Sequence, residues 1–209
     1  MINFDDISVL VQKGKAKDVK ELVAQALSEG ADSKDILDKG LLAGMSVIGD
    51  KFKNNQVFVP EVLVAARAMN AGLEIIKGDV AEDADADKGV CIVGTVKGDL
   101  HDIGKNIVKI MLEGKGLKVI DLGVNIDPEK FVDAAVENNA KVICCSALLT
   151  TTMSVMKEVV ALLDAKGLRN DVKVLVGGAP VTQDFCDKIN ADGYAPDAAS
   201  AADLAASMF

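Results

Sequence analysis

Aromatic residues are scarce in this chain: its 209 residues include no tryptophan, one tyrosine and six phenylalanines. Half of the residues are nonetheless hydrophobic, so the core has to come from Ala, Val, Ile and Leu, a composition that suits helix bundles and parallel sheets. Positive charge is also in deficit. A formal net charge of −9 argues against nucleic acid as a partner, because phosphate binding needs clustered Lys and Arg. No window offers the roughly 18 consecutive apolar residues of a membrane span, so no membrane partner is expected. The acidic start "MINFDDISVL" lacks the basic flank of a signal peptide. The four cysteines, Cys91, Cys144, Cys145 and Cys186, show no CxxC spacing, which suggests neither a zinc site nor a disulfide framework. Cys144 and Cys145 fall inside the apolar run "KVICCSALL", where a reduced cysteine is an ordinary small core residue. A cytoplasmic location is expected. Histidine occurs once, as His101 in "GDLHDIGKNI", residues 98–107.

Two halves of different character follow. Residues 1–80 read as helical, with apolar residues recurring at spacings of three and four in "ISVLVQKG", "DVKELVAQALSEG", "SKDILDKGLLAGMSVIGDKF" and "PEVLVAARAMNAGLEIIKG". Gly14, Gly30 and Gly78 punctuate the ends, and Asp18, Ser33 and Pro60 lie near the starts. Four such helices predict a small antiparallel bundle, with Phe58, Val62 and Met69 in its core. Residues 81–88, within the acidic stretch "GDVAEDADADKG", read as a linker.

From Gly89 the period changes. The runs "VCIVGTV", "LKVIDLG", "KVICCSAL" and "VKVLVGG" alternate with amphipathic stretches starting near 103, 127, 152 and 181, and a short strand near "GYA" precedes a last helix. Continuous apolar runs separated by helices predict a parallel sheet covered on both faces. The expected class is therefore α/β: a four-helix bundle, then a doubly wound, flavodoxin- or Rossmann-like domain of five parallel strands over 89–209. Such sheets bind ligands beyond the carboxyl ends of the strands at the topological switch point, which turns attention to the loop after the first strand.

That loop holds His101, and three chemistries compete for it. A phosphate loop would run GxxxxGK[ST]. Here Gly98 and Gly104-Lys105 enclose five residues, Asn106 takes the hydroxyl position, and two acids in the loop repel phosphate. An ordinary loop histidine or a general base is the second possibility, although no nucleophile lies in the same stretch. The third is a metal ligand: one imidazole is enough as the axial ligand of a metal already held in a macrocycle, and Asp99 is then placed to orient the ring.

"GDLHDIGKNIV" resembles the DxHxxG signature of cobalamin-binding domains, with Asp99, His101 and Gly104 in the signature positions. "SALLTTTM" is similar to that family's loop after the third strand, and "VGGAPV" to its loop after the fourth. "FVPEVLVAARAMNAG" resembles the bundle that precedes the domain in methionine synthase and in the corrinoid proteins of methyltransferase systems. The resemblance implies that His101 is the lower axial ligand of cobalt in cobalamin, carried in the methylcobalamin form, with Asp99 holding His101 and Thr152 holding Asp99; methionine synthase has serine at this last position. It further implies contacts to the cofactor from Gly98, Asp102, Ile103, Gly104, Ser146, Leu148, Thr150, Gly177, Gly178 and Ala179. Small residues leave room there for the displaced nucleotide tail, and Tyr194 and Ala195 close its pocket. The helical half would cap the upper cobalt face over a hinge at 81–88. Glu61 stands near that face where methionine synthase has an aromatic residue.

The function so implied is a corrinoid methyl carrier. It would accept a methyl group on cobalt from a substrate methyltransferase and pass it to a second one with tetrahydrofolate or a thiol such as coenzyme M as acceptor. A reductive activation protein would be a further partner, and the chain would be a subunit of a methyltransferase system instead of a complete enzyme. Three alternatives remain at this point. A mutase small subunit usually starts directly at the first strand, a cobalamin-sensing regulator needs a basic DNA-binding module, and a flavin or nucleotide binder has no use for His101.

Overall fold

Asn3 starts the first helix: its side-chain oxygen accepts the Asp5 N–H at 3.1 Å, and Asp5 and Asp6 place negative charge on the first turn. The computed structural model describes residues 3–80 and 89–209; the expected linker 81–88 lies outside the described residues. The chain divides into two compact units, Met1–Asp87 with Gly114–Gly116, and Lys88–Glu113 with Leu117–Phe209.

The first unit contains α1 (Phe4–Gln12), α2 (Ala16–Ser28), a continuous helical run over 33–53, and α5 (Val59–Val80). The run comprises α3 (Ser33–Asp35), a π-helical segment Ile36–Leu42, and α4 (Ala43–Lys53). Asp32 caps this run by accepting the Lys34 N–H. Periodicity predicts an unbroken α-helix here, and the π segment is the departure. Its wider turn buries Ile36, Leu37, Gly40, Leu41 and Leu42 together. A Cβ on Gly44 would lie 2.8 Å from the Ser8 carbonyl oxygen, so glycine is what lets α4 approach α1 this closely. On α5, Val62, Ala65, Met69 and Ile76 form one buried stripe, and α2 packs against this helix. Each fully buried Val, Ile or Met contributes about 1.5–3 kcal/mol against staying exposed.

Two expectations for this half need correction. Phe58 is 63% exposed, because it precedes the first turn of α5 and never joins the stripe that buries Val62 and Met69. Gly78 does not end α5, whose backbone runs on to Val80.

The second unit is a five-stranded, all-parallel sheet, as the apolar runs predict. Its strands are β1 (Val90–Thr95), β2 (Lys118–Asp121), β3 (Val142–Ser146), β4 (Lys173–Gly177) and β5 (Gly193–Tyr194), in the order β2-β1-β3-β4-β5. The crossovers are α6 (Ile103–Glu113), α7 (Pro128–Glu137), α8 (Ser154–Ala165) and α9 (Gln183–Lys188), and α10 (Ala198–Ala206) closes the chain. Alternate residues of the strands face opposite layers. Ile92, Ile143, Cys145, Val174 and Val176 pack with Phe131 and Val132 of α7 and Met156, Val159 and Leu163 of α8. Gly94 leaves room for the Phe131 ring, 2.7 Å from where a Cβ would sit. Cys91, Val93, Cys144 and Leu175 are buried on the other face, where α6 and α10 pack together. All four cysteines are free and buried; burial pushes the Cys91 and Cys145 thiols up to about 12, so both stay neutral.

Candidate functional site

β1 and β3 are neighbours in register, with Thr95 opposite Ser146. From β1 the chain goes on to β2 at one side of the pair, and from β3 to β4 at the other. The crevice between the two diverging loops is the switch point of the sheet. Gly98 (φ +83°) turns the chain after β1, and Asp99 N donates to Val96 O at 3.1 Å. Thr95, wholly buried at the strand end, donates its hydroxyl to the His101 carbonyl oxygen at 2.8 Å.

Asp99 is the centre of this arrangement. It has no exposed surface. Its Oδ1 accepts the His101 backbone N–H at 3.1 Å and lies 2.8 Å from His101 Nδ1. Its Oδ2 accepts the N–H groups of Leu148 (2.7 Å) and Leu149 (3.1 Å), and the Thr152 hydroxyl lies 3.1 Å away. That hydroxyl is also 2.9 Å from Leu149 O, so its single proton serves one acceptor at a time. Burial by itself raises the Asp99 pKa. The Leu148 amide, the His101 ring and the His101 and Leu149 amides outweigh it and hold the carboxyl well below the usual range. An ionised acceptor at Nδ1 keeps the ring proton there and leaves the lone pair on Nε2.

The imidazole is half exposed, and apolar residues of its own turn and of the loop after β3 are exposed as well. Leu100 and Ile103 are each 71% exposed, and Leu148 and Leu149 are also open to solvent. An exposed apolar rim of this kind marks a binding surface. Behind it the crevice is lined by small groups. No atom lies within 4 Å of where a Cβ on Gly104 would sit, whereas on Gly178 (φ +125°) it would collide with Ala147 O at 1.9 Å. Gly177 ends β4 beside Ser146, facing Ala195 O, with Ala179 in the following turn and Tyr194 on β5. Thr150 is exposed in the turn after Leu149, and the Asp102 carboxylate accepts from Asn106 Nδ2 at 3.4 Å.

The structure thus brings Gly98, Asp99, His101, Leu148 and Thr152 into one hydrogen-bonded cluster, with the small residues along the same sheet edge. Glu61 belongs to the helical unit, where its carboxylate accepts the Phe58 N–H at 3.1 Å and so caps the start of α5. Lys105 decides against a phosphate loop. It is 3% exposed and bonds to both Asp121 carboxylate oxygens at 2.7 and 2.8 Å, turned into the fold instead of toward a ligand. Thr95 and Asn125 escape a reading of the sequence, since both act on backbone atoms of the histidine turn. Among the described residues no group of three or more His, Cys, Asp or Glu is placed to hold a metal ion. One available imidazole, an apolar rim and a crevice of small residues fit a metal brought in by a flat, largely apolar macrocycle with an appended tail.

Family models described as B12 binding domain match residues 89–203 and residues 4–77. The chain belongs to the B12-binding family, and cobalamin is its cofactor. It is 45% identical over 176 residues to trimethylamine corrinoid protein 1 of Methanosarcina mazei, covering 83% of this chain and 82% of that protein. Dimethylamine corrinoid protein 1 of Methanosarcina acetivorans is 47% identical over 171 residues, 81% of this chain and 80% of that one. Among solved structures, a chain of the methanol:cobalamin methyltransferase complex of Methanosarcina barkeri superposes with a TM-score of 0.87 at 33% identity, over 96% of this chain and 77% of its own. Among the described residues no helix is long and apolar enough to cross a membrane.

Proposed function

We propose that this protein is a corrinoid methyl carrier in which His101 would ligate the cobalt. The observation that carries the reading is the half-exposed imidazole fixed through Nδ1 by a buried, multiply hydrogen-bonded carboxylate, with exposed apolar side chains around it. When bound, cobalamin supplies a cobalt centre that takes a methyl group from one methyltransferase and yields it to a second. The chain's residues do the rest. Asp99 orients His101 and fixes which ring nitrogen is left free. The Leu148 amide, the His101 ring and the His101 and Leu149 amides keep Asp99 ionised, and Thr152 packs its hydroxyl beside them. Leu100, Ile103 and Leu148, exposed beside the histidine turn, would hold the macrocycle and keep water from it. Gly104, Ser146, Thr150, Gly177, Gly178 and Ala179 would leave room for the cofactor's nucleotide tail, with Tyr194 and Ala195 closing that space.

In this proposal the helical unit would cover the bound cofactor and be drawn aside for each partner. Those partners are a substrate methyltransferase, an acceptor methyltransferase using tetrahydrofolate or a thiol, and a reductive activation protein. The similar corrinoid proteins are named for trimethylamine and dimethylamine, and the solved complex for methanol. Selection of the methyl donor is therefore assigned to the partner methyltransferase. His101→Ala loaded with methylcobalamin is expected to lose the visible spectrum of the histidine-ligated form. A spectrum identical to that of the parent protein overturns the ligand assignment.

A further inference from the structure

We propose that Asn125 is a positioning residue that sets where the axial-ligand turn sits; the inference rests on His101 being that ligand. After β2 the chain does not leave the sheet at once. Leu122 N donates to Val93 O (2.8 Å), Thr95 N to Gly123 O (2.9 Å) and Ile126 N to Thr95 O (3.0 Å), so residues 122–126 accompany β1 to its end. Within this segment the chain bows outward, and Asn125 takes the left-handed conformation at φ +57°. Asparagine tolerates that region better than other residues with a side chain. Three other asparagines share it, Asn55, Asn139 and Asn190, but each closes a helix, after α4, α7 and α9. Asn125 follows a strand, and helix termination does not account for it.

The bend brings Asn125 against the histidine turn with two hydrogen bonds. Its Oδ1 accepts the Gly98 N–H at 2.8 Å, and its own N–H donates to Asp99 O at 3.0 Å. The Lys97–Gly98 peptide and the Asp99 carbonyl are thus gripped from the β2 side, while the carboxylate is gripped by Leu148, Leu149 and Thr152 from the β3 side. Lys97 and Asp127 add an exposed ion pair between the same two segments, of little weight by itself. With Asp99 fixed at both ends, its bond to His101 Nδ1 fixes the imidazole, and small errors in the placement of a ligand-bearing loop are costly. Asn125 therefore governs the proportion of protein in which His101 reaches cobalt.

The test uses the full chain, loaded with cob(II)alamin after labelling histidine with ¹⁵N in the ring. Because the chain has one histidine, the electron paramagnetic resonance splitting from a labelled axial nitrogen reports His101 alone. In the parent protein the two-line pattern of ¹⁵N is expected; a three-line ¹⁴N pattern shows another axial base, and the ligand reading itself fails. With the two-line pattern established, Asn125→Gly keeps the backbone conformation and the N–H donor but removes Oδ1. It is expected to lower the ratio of ligated to unligated His101 by about fivefold, the factor that one hydrogen bond of ordinary net strength sustains. Asn125→Asp retains the acceptor and the tolerance for this φ, and is expected to restore the ratio. Hydrogen exchange at the Gly98 amide of the apoprotein is expected to accelerate in Asn125→Gly and not in Asn125→Asp. An unchanged ratio in Asn125→Gly, or an equal loss in both variants, overturns the role of Asn125 while leaving that of His101 intact.

Discussion

Asp99 shows how a buried charge is made tolerable one bond at a time. Its two oxygens face only donors: two from His101 on one side, and two amides with a hydroxyl on the other. Asp99→Asn must turn its NH₂ toward one of these donor sets, so the substitution loses bonds and leaves a donor facing a donor. A loss of about 3 kcal/mol at pH 7 is expected for the apoprotein by urea unfolding. The pH dependence follows from the direction of the shift. The folded-state pKa is depressed, so the stabilisation is complete above the ordinary carboxylate value of about 4 and is lost as pH falls below it toward the folded-state value. Parent and variant stabilities should therefore run parallel from pH 7 down to about 4 and converge only below that. Convergence beginning at pH 6 would mean that Asp99 is not held ionised by these bonds.

At the scale of elements, α6 is anchored at both ends of its first turns. Thr95 holds the turn before it through His101 O, and Lys105 ties the helix to the end of β2 through Asp121. Burial alone raises the Asp121 pKa, but the Lys105 hydrogen bond, the Gly123 amide and the charges of Lys105 and Lys109 lower it overall. Lys105→Met leaves that carboxylate without its nearest cation and should cost about 3 kcal/mol, as breaking a buried pair does. Lys105→Met combined with Asp121→Asn keeps an acceptor for the Gly123 N–H while removing both charges, and should recover most of the loss. A double-mutant cycle by chemical denaturation measures the coupling, and additive losses would show that the two groups do not act as a pair. This pair also marks a boundary of what residue types reveal. The strands β1, β3 and β4 were legible because a strand buried on both faces must be a continuous apolar run, and the loop after β1 was legible because glycine, aspartate and histidine are each unusual there. Lys105 gave no such signal, since a lysine in an amphipathic stretch ordinarily points to water. Thr95 and Asn125 were silent for another reason: their partners are backbone atoms in other loops, which leave no trace in residue identity. The π segment was hidden because "ILDKGLL" has the same spacing in either helix type.

At the scale of the whole molecule, two units with separate cores share one cofactor in the reading proposed here. Ile7, Val19, Val62 and Met69 are buried in the first, and Ile92, Phe131, Ile143 and Val174 in the second. A ligand that binds only the native state stabilises it by mass action, about 2.7 kcal/mol at a hundredfold excess over Kd. In hydrogen exchange that gain falls on the amides whose opening would release the ligand. Cobalamin held by the sheet unit slows exchange at Gly98, His101, Leu148 and Leu149, whose N–H groups build the site. A cap makes a further demand. The start of α5 exposes Phe58, Leu63 and Val64, and a helical unit that covers the cofactor must pass part of its stabilisation to amides there. Hydrogen exchange on the full chain, with and without methylcobalamin, separates the two cases. Slowing at both the 98–101 and 148–149 loops and the first turns of α5 is the expected result. Slowing confined to the sheet loops would keep cobalamin and remove the cap, and the reactive face would then need its shelter from a partner protein.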